Sequence, residues 1–359
     1  MRALSRWLGG ALACAWLGLA VGCGSQVNLL EPDALGNTLP CDSFLAGARC
    51  DGECKALLVD PDNCGACGHA CGGGECRFGL CVGVVVNGNA GRTLIEHEGA
   101  LLFTDRRGPG TITRVAPSTG EAVVLAQGQS APSDLAARGD HVYWTDAFVG
   151  GVRRVALTGG QPEVVAEGPG HAECLAMTDQ SLVWGAHDGA TGQVLRAEAS
   201  GAPTVLASGP WRPDAVRIEG DYVYWLSNPF APTDETRPAL RRAPLAGGAM
   251  TVLAYGGEPL LDFVVKGGYA YYFERGLVAR IAVTGGRAYP IAGVSKTTSA
   301  IAWGGSDLYT TGGGSVVRIS LRGLGLSVIA DADPGYDIVV TDTDVFFTDE
   351  DVKLKRTPR

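Results

Sequence analysis

A chain of 359 residues with 53 glycines and 19 prolines in a composition that is 46% hydrophobic is long enough for more than one domain. Its turn formers break it into short apolar segments, which favours an all-β protein. Lysine and arginine number 29 against 38 acids, a formal charge of −9; with no basic stripe and no glycine-rich phosphate loop, this argues against nucleic acid or nucleotide as partner.

In chain order, Arg2 and Arg6 precede an apolar run from Trp7 to Val21 that ends in small residues, the layout of a secretory leader and too short to span a bilayer comfortably. The run closes on LAVGCGS, Leu19 to Ser25, which resembles a bacterial lipobox. An ordinary signal-peptidase site is the competing reading. The resemblance implies cleavage after residue 22, acylation of Cys23 and, with Gly24 following, sorting to the outer membrane. The mature chain would then be exported and held by lipid alone. The 17 residues between Cys23 and Cys41 make a tether of roughly 55 to 60 Å when extended.

Eight of the 11 cysteines, Cys41, Cys50, Cys54, Cys64, Cys67, Cys71, Cys76 and Cys81, crowd between residues 41 and 81 among glycines. In an exported chain this reads as a small disulfide-rich module, connectivity open, because a piece of that size cannot fold on an apolar core alone. The rival, a zinc site on the CxxC of Cys64 and Cys67 with His69, needs deprotonated thiols and is disfavoured by an even cysteine count. The stretch NCGACGHAC with Cys76 and Cys81 resembles the cysteine-rich repeat of the stigma-specific protein family, which implies extracellular exposure rather than an activity. Cys174 stands apart and reads as a buried small residue.

From residue 82 to 359 the chain repeats. LLFTD, VYWTD, LVWGA, VYWLS, AYYFE, LYTTG and VFFTD are anchored on Phe103, Trp144, Trp184, Trp225, Tyr272, Thr310 and Phe347, at intervals of 41, 40, 41, 47, 38 and 37 residues. Each anchor segment leads to a strand ending in a basic residue, Arg114, Arg154, Arg196, Arg242, Arg280, Arg318 and Arg356, and two more strands complete a unit of four. A period near forty with four short strands predicts a propeller blade. The repeated aromatic is read as packing between blades, and the repeated arginine as a surface ion pair. The units resemble the YWTD and related six- or seven-bladed propeller repeats, verbatim only at Tyr143 to Asp146. A seven-bladed β-propeller is expected, six blades being the alternative. The last unit lacks its outer strand, and GVVVNG, Gly83 to Gly88, is placed to supply it and close the ring.

Candidate function sits where units depart from one another at one rim. Ten residues before the anchors stand Thr93, Asp134, Cys174, Ala215, Asp262, Ala300 and Asp337, with Glu173 and Asp214 one residue earlier. Such acids either hold a hard cation such as Ca²⁺ or cap strand ends. The second is favoured, because lactonases of similar fold use asparagines beside acids, and after Asn89 only Asn228 remains. No cofactor is therefore expected, with calcium the exception to watch for. The histidines show no paired spacing. Trp211 beside Arg212, and the loop Ser227 to Pro238 with Phe230, read equally as a docking surface or as a Pro-rich solvated loop with Trp211 plugging a blade junction. The expectation is a non-enzymatic binding or scaffolding protein of the cell envelope with a protein or glycan partner; the alternative is a metal-dependent hydrolase or lyase at the channel mouth.

Overall fold

The computed structural model describes residues 47–359 apart from short stretches at 72–73, 78–79, 87–90, 92, 199–201, 231–236, 275, 324, 332–334 and 349–352. The leader, Cys23, the tether and Cys41 lie outside the described residues. Strands alone build the described chain, arranged as seven antiparallel blades. Blades one to six occupy residues 94–129, 132–166, 171–209, 211–255, 263–293 and 300–331. Within each blade the four strands hydrogen-bond in sequence order. The first strands of successive blades touch one another around the ring, so they are the innermost and line the channel. Seven blades are present, and the six-bladed alternative is set aside.

Blade seven shows how the ring closes. Its own strands are Ile338–Val340, Asp344–Thr348 and Leu354–Pro358, and the fourth is Leu80–Val86, pairing Leu354 with Val86 and Arg356 with Gly83. The strand expected from GVVVNG is thus the closing one. It starts at Leu80 and carries on its free side a fifth strand, Glu75–Arg77, which puts Cys76 opposite Cys81. The cysteine-rich module therefore runs into the propeller without a linker. In the module Cys50 bonds Cys67 and Cys64 bonds Cys76, and Cys54 and Cys71 are disulfide-bonded as well. The thiolates a zinc site would need are thus consumed, and His69 Nδ1 lies 2.5 Å from the Cys64 carbonyl.

The second strand of each blade is buried on both faces, as a sheet sandwiched between two others must be. In blade two, Val142, Tyr143, Trp144, Thr145 and Asp146 are all at most 3% exposed. The anchors Phe103, Trp144, Trp184, Trp225, Tyr272 and Phe347 are at most 1% exposed, each in a separate apolar cluster between its own blade and the preceding one. Blade six has Thr310 at the anchor, and there Tyr271 and Phe273 of blade five fill the seam with Trp303 packed against them. The core is therefore a set of seven seams rather than one centre.

The polar half of the YWTD pattern is equally structural. Thr145 Oγ1 accepts a hydrogen bond from the Asp134 amide, and Thr348 Oγ1 does the same for Asp337. Asp146 Oδ1 accepts from the amides of Phe148 and Val149, making the turn that leaves the strand. The repeated arginines lie on the blade surfaces: Arg154 pairs with Glu163, Arg196 with Glu198 and Arg318 with Asp307, while Arg242 and Arg280 stack over Tyr222 and Tyr269. The turn from third to outer strand in blades two, four and five uses paired glycines with φ of 85° and 142°, 92° and 138°, and 92° and 114°, a backbone path side chains resist.

Candidate functional site

Innermost strands begin, and second strands end, on one face of the ring, here called the mouth. At its inner rim every seam carries a side-chain latch. Thr93 Oγ1 donates to the Ser133 carbonyl (2.8 Å), joining blades one and two. Asp134 accepts from its own neighbour Leu135 N (2.9 Å) and, across the seam, from Leu175 N (2.8 Å) of blade three. The Cys174 thiol donates to the Pro213 carbonyl at 3.5 Å. Asn228 imitates a strand, donating to Leu260 O (2.8 Å) and accepting from Leu260 N (3.0 Å). Asp262 accepts from Phe263 N and, across the seam, from Ile301 N (3.1 Å). Ser299 Oγ donates to Gly335 O, and Asp337 accepts from Ile338 N and Leu94 N (both 2.8 Å), closing blade seven onto blade one.

Those bonds select the capping alternative for three of the acids. Asp134, Asp262 and Asp337 were candidate binding residues, but both oxygens of each already accept backbone N–H groups, so they serve as strand caps. Ala215 and Ala300 occupy the equivalent position without a latch, and Asn228 and Ser299 supply it instead. In the channel Arg217 reaches across from blade four, donating to Asp262 Oδ1 at 2.8 Å with its guanidinium over the Phe263 ring. Burial pushes the Asp134 and Asp262 carboxyls up, and the Arg217 charge opposes it. Burial carries Asp337 up to about 7, opposed by the Leu94 amide and reinforced by the charges of Asp262 and Asp134. Burial, with Asp134 and Asp214 nearby, holds the Cys174 thiol well above its ordinary value, which makes it inert. Among the described residues no three histidine, cysteine, aspartate or glutamate side chains converge to hold a metal ion.

For Trp211 the structure selects the plug over the docking anchor. It opens the innermost strand of blade four, is 4% exposed, packs 6.0 Å from the Trp225 ring and lies beneath the Arg241 guanidinium. It plugs the seam between blades three and four and offers no surface to a partner. Arg212, the next residue along the strand, is exposed, but its Nε is bound to Asp214 Oδ1 at 2.5 Å, and Asn228 Nδ2 holds the other carboxylate oxygen. Burial raises Asp214, the Arg212 contact opposing it.

What remains is a cluster over blades two to four. In blade three the innermost and second strands pair His171 with His187, and a bulge between Ala172 and Cys174 turns Glu173 out of the ladder. The imidazoles stack 5.1 Å apart. Phe148 of blade two meets His171 edge-on at 6.2 Å, and Phe230 of blade four meets His187 at 5.3 Å. His171 Nδ1 lies 2.5 Å from the Ala147 carbonyl. His187 is 9% exposed and both its ring nitrogens are enclosed without a hydrogen-bond partner. Its Nε2 lies 4.0 Å from Glu173 Oε1. Burial lowers the His187 pKa, Glu173 opposing, so the ring is neutral at neutral pH. Glu173, Arg212, Asp214 and Phe230, all anticipated, do come together, while the two histidines were missed. Their adjacency follows only by counting back from the turn at residues 178–181 and allowing for the bulge.

A cavity of about 590 Å³ opens on the opposite face, lined by Trp303, Phe346, Arg356 and Arg359 among others. No unpartnered buried polar side chain faces it among the described residues.

No family model matches the chain, and no curated protein matches it in sequence. Solved structures resemble it in fold. Virginiamycin B lyase from Staphylococcus aureus superposes with a TM-score of 0.61 at 14% identity over 76% of this chain and 95% of that one. Oligogalacturonate lyase in complex with manganese gives 0.59 at 14% identity over 78% and 93%. The nidogen/laminin complex gives 0.51 at 18% identity over 71% and 95%. The scaffold is thus one that is used both by lyases and by a protein that engages another protein, and at such identities the likeness shows the propeller alone.

Proposed function

We propose that the chain is an exported, lipid-anchored, non-enzymatic binding protein of the cell envelope, tethered through Cys23 and presenting the mouth of blades two to four to a protein or glycan partner. One observation carries this reading: the row Phe148, His171, His187 and Phe230 crosses three blades at the mouth and ends in a phenylalanine 70% exposed. An exposed ring at one end of a row whose His187 stands within reach of the charged pair of Arg212 and Asp214 has the makings of an interface centre. The test places a photo-crosslinking residue at position 148, and separately at position 342 on the opposite face, in cells. The reading requires a discrete adduct from 148 alone, lost when Cys23→Ser prevents anchoring; equal adducts from both positions refute it.

A hydrolase or lyase reading has a single observation in its favour, the neutral unpartnered His187 beside Glu173, an arrangement suited to taking up a proton. Metal analysis of the purified protein separates the two. Stoichiometric metal that survives dialysis and is lost in Glu173→Gln would reverse the order.

A further inference from the structure

The mouth holds two hydrogen-bond acceptors with no donor between them. A neutral His187 ring with its proton on Nδ1 offers Nε2 as a lone pair, and Glu173 Oε1 faces that nitrogen at 4.0 Å. Neither group is otherwise satisfied: both His187 nitrogens are unpartnered, and the Glu173 carboxylate, about a third exposed, accepts no hydrogen bond among the described residues. Arg212, whose charge is felt by both Glu173 and His187, is hydrogen-bonded to Asp214 instead. Buried polar groups are almost always paired in folded proteins, so an orphan pair of this kind marks a place where something else supplies the donor.

The spacing restricts what that donor is. One atom about 2.9 Å from each acceptor bridges a gap of this width. It must bring at least two hydrogens, and beside a carboxylate with no cation of its own a positive charge is favoured. The surroundings add a second requirement, because the His171 ring stacks on His187 and the exposed Phe148 ring meets His171 edge-on, and π-faces attract ammonium groups and cover their carbon stems.

Building on the mouth reading above, we propose that the partner presents a protonated primary amine, which donates to Glu173 and His187 while its carbon stem lies against Phe148 and His171. His187 Nε2 is closed to bulk water, so the amine reaches it by rotation of the Glu173 side chain, which no hydrogen bond restrains. A lysine side chain and an amino sugar both carry this group.

The test uses the purified full chain and three probes followed by NMR and calorimetry: Nα-acetyl-lysine methylamide, its norleucine counterpart lacking the amine, and glucosamine. The lysine probe should bind saturably and at least tenfold more tightly than the norleucine probe. Glu173→Gln and Phe148→Ala should each weaken it several-fold or more without shifting the melting temperature, since both side chains are exposed enough to be dispensable to the fold. Preference for glucosamine over the lysine probe supports the site and assigns the amine to a glycan; the reverse preference assigns it to a polypeptide. Equal binding of the norleucine probe, unchanged affinity in Glu173→Gln, or no binding of either amine at millimolar concentration overturns the proposal. If position 148 still yields its adduct in cells while the amines fail, the amine is wrong and the mouth reading stands; if both fail, the mouth reading falls too.

Discussion

Asp337 gives the sharpest test of how the ring is latched. Its carboxylate joins blade seven to blade one through Leu94 N and Ile338 N, and burial carries it from 3.8 up to about 7. A carboxyl whose folded pKa is raised contributes stability below its unfolded value and loses it as pH rises through the folded value. The interval from 3.8 to about 7, at ~1.4 kcal/mol per pH unit, gives a ceiling of ~4 kcal/mol, of which ~2.5 kcal/mol should disappear between about pH 5 and about pH 8. Asp337 is only partly buried, so the measured figure should fall below that ceiling. Asp337→Asn keeps one acceptor and sets an NH₂ against the other amide, a cost of ~1–3 kcal/mol that does not depend on pH. The comparison therefore rests on slope. Urea unfolding followed by tryptophan fluorescence, with disulfides intact, across that pH range should show the wild type losing stability relative to the variant as pH rises. Parallel curves would refute the assignment of Asp337 as a buried, charge-disfavouring latch.

Trp211→Ala should destabilise by ~3–5 kcal/mol as a large core truncation, seen as a lowered urea midpoint, while leaving affinity at the mouth unchanged in whatever fraction stays folded. Gly185→Ala puts a methyl 2.5 Å from Cys174 Sγ and 2.7 Å from the Pro213 ring, so a loss of ~1–3 kcal/mol is expected from overpacking; a melting temperature equal to wild type would show that the seam yields. Cys174 should resist thiol reagents at neutral pH until the protein is unfolded, because its thiol is 1% exposed and kept protonated; rapid labelling of the native protein counts against the latch. Phe148→Ala should change the urea midpoint by less than ~0.5 kcal/mol equivalent, as a surface change away from structural features.

Blade number, strand count and the closing strand were legible because a forty-residue period with a buried aromatic can be read without knowing any contact. The position of the latches was legible too, since Asp134, Asp262 and Asp337 fall in one register. Capping was legible as well, but that the caps reach the neighbouring blade's amides was not, because no single repeat displays them. Trp211 misled because a tryptophan between Pro210 and Pro213 reads as a loop, whereas the innermost strand begins at that residue. His171 and His187 sit 16 residues apart, a spacing that matches no linear motif. Hairpin geometry makes them neighbours, and the bulge at Glu173 shifts the count by one. Arg217 occurs once, so nothing periodic points to its place in the channel.

The closing strand Leu80–Val86 pairs with residues some 270 positions later, so the last seam forms only after a very long loop is drawn shut. The entropic cost grows slowly with loop length, but contacts so distant in sequence delay folding. Glu75–Arg77, held through the Cys64–Cys76 bond, pairs with the other edge of that strand over a short span of sequence. Oxidation of the small module before the ring closes would therefore favour assembly, while Cys174 within the ring is a free thiol. Yield of the folded propeller would in this way follow the redox state of the compartment where it folds, a reducing environment leaving an open array with both edges of the last blade exposed to other chains.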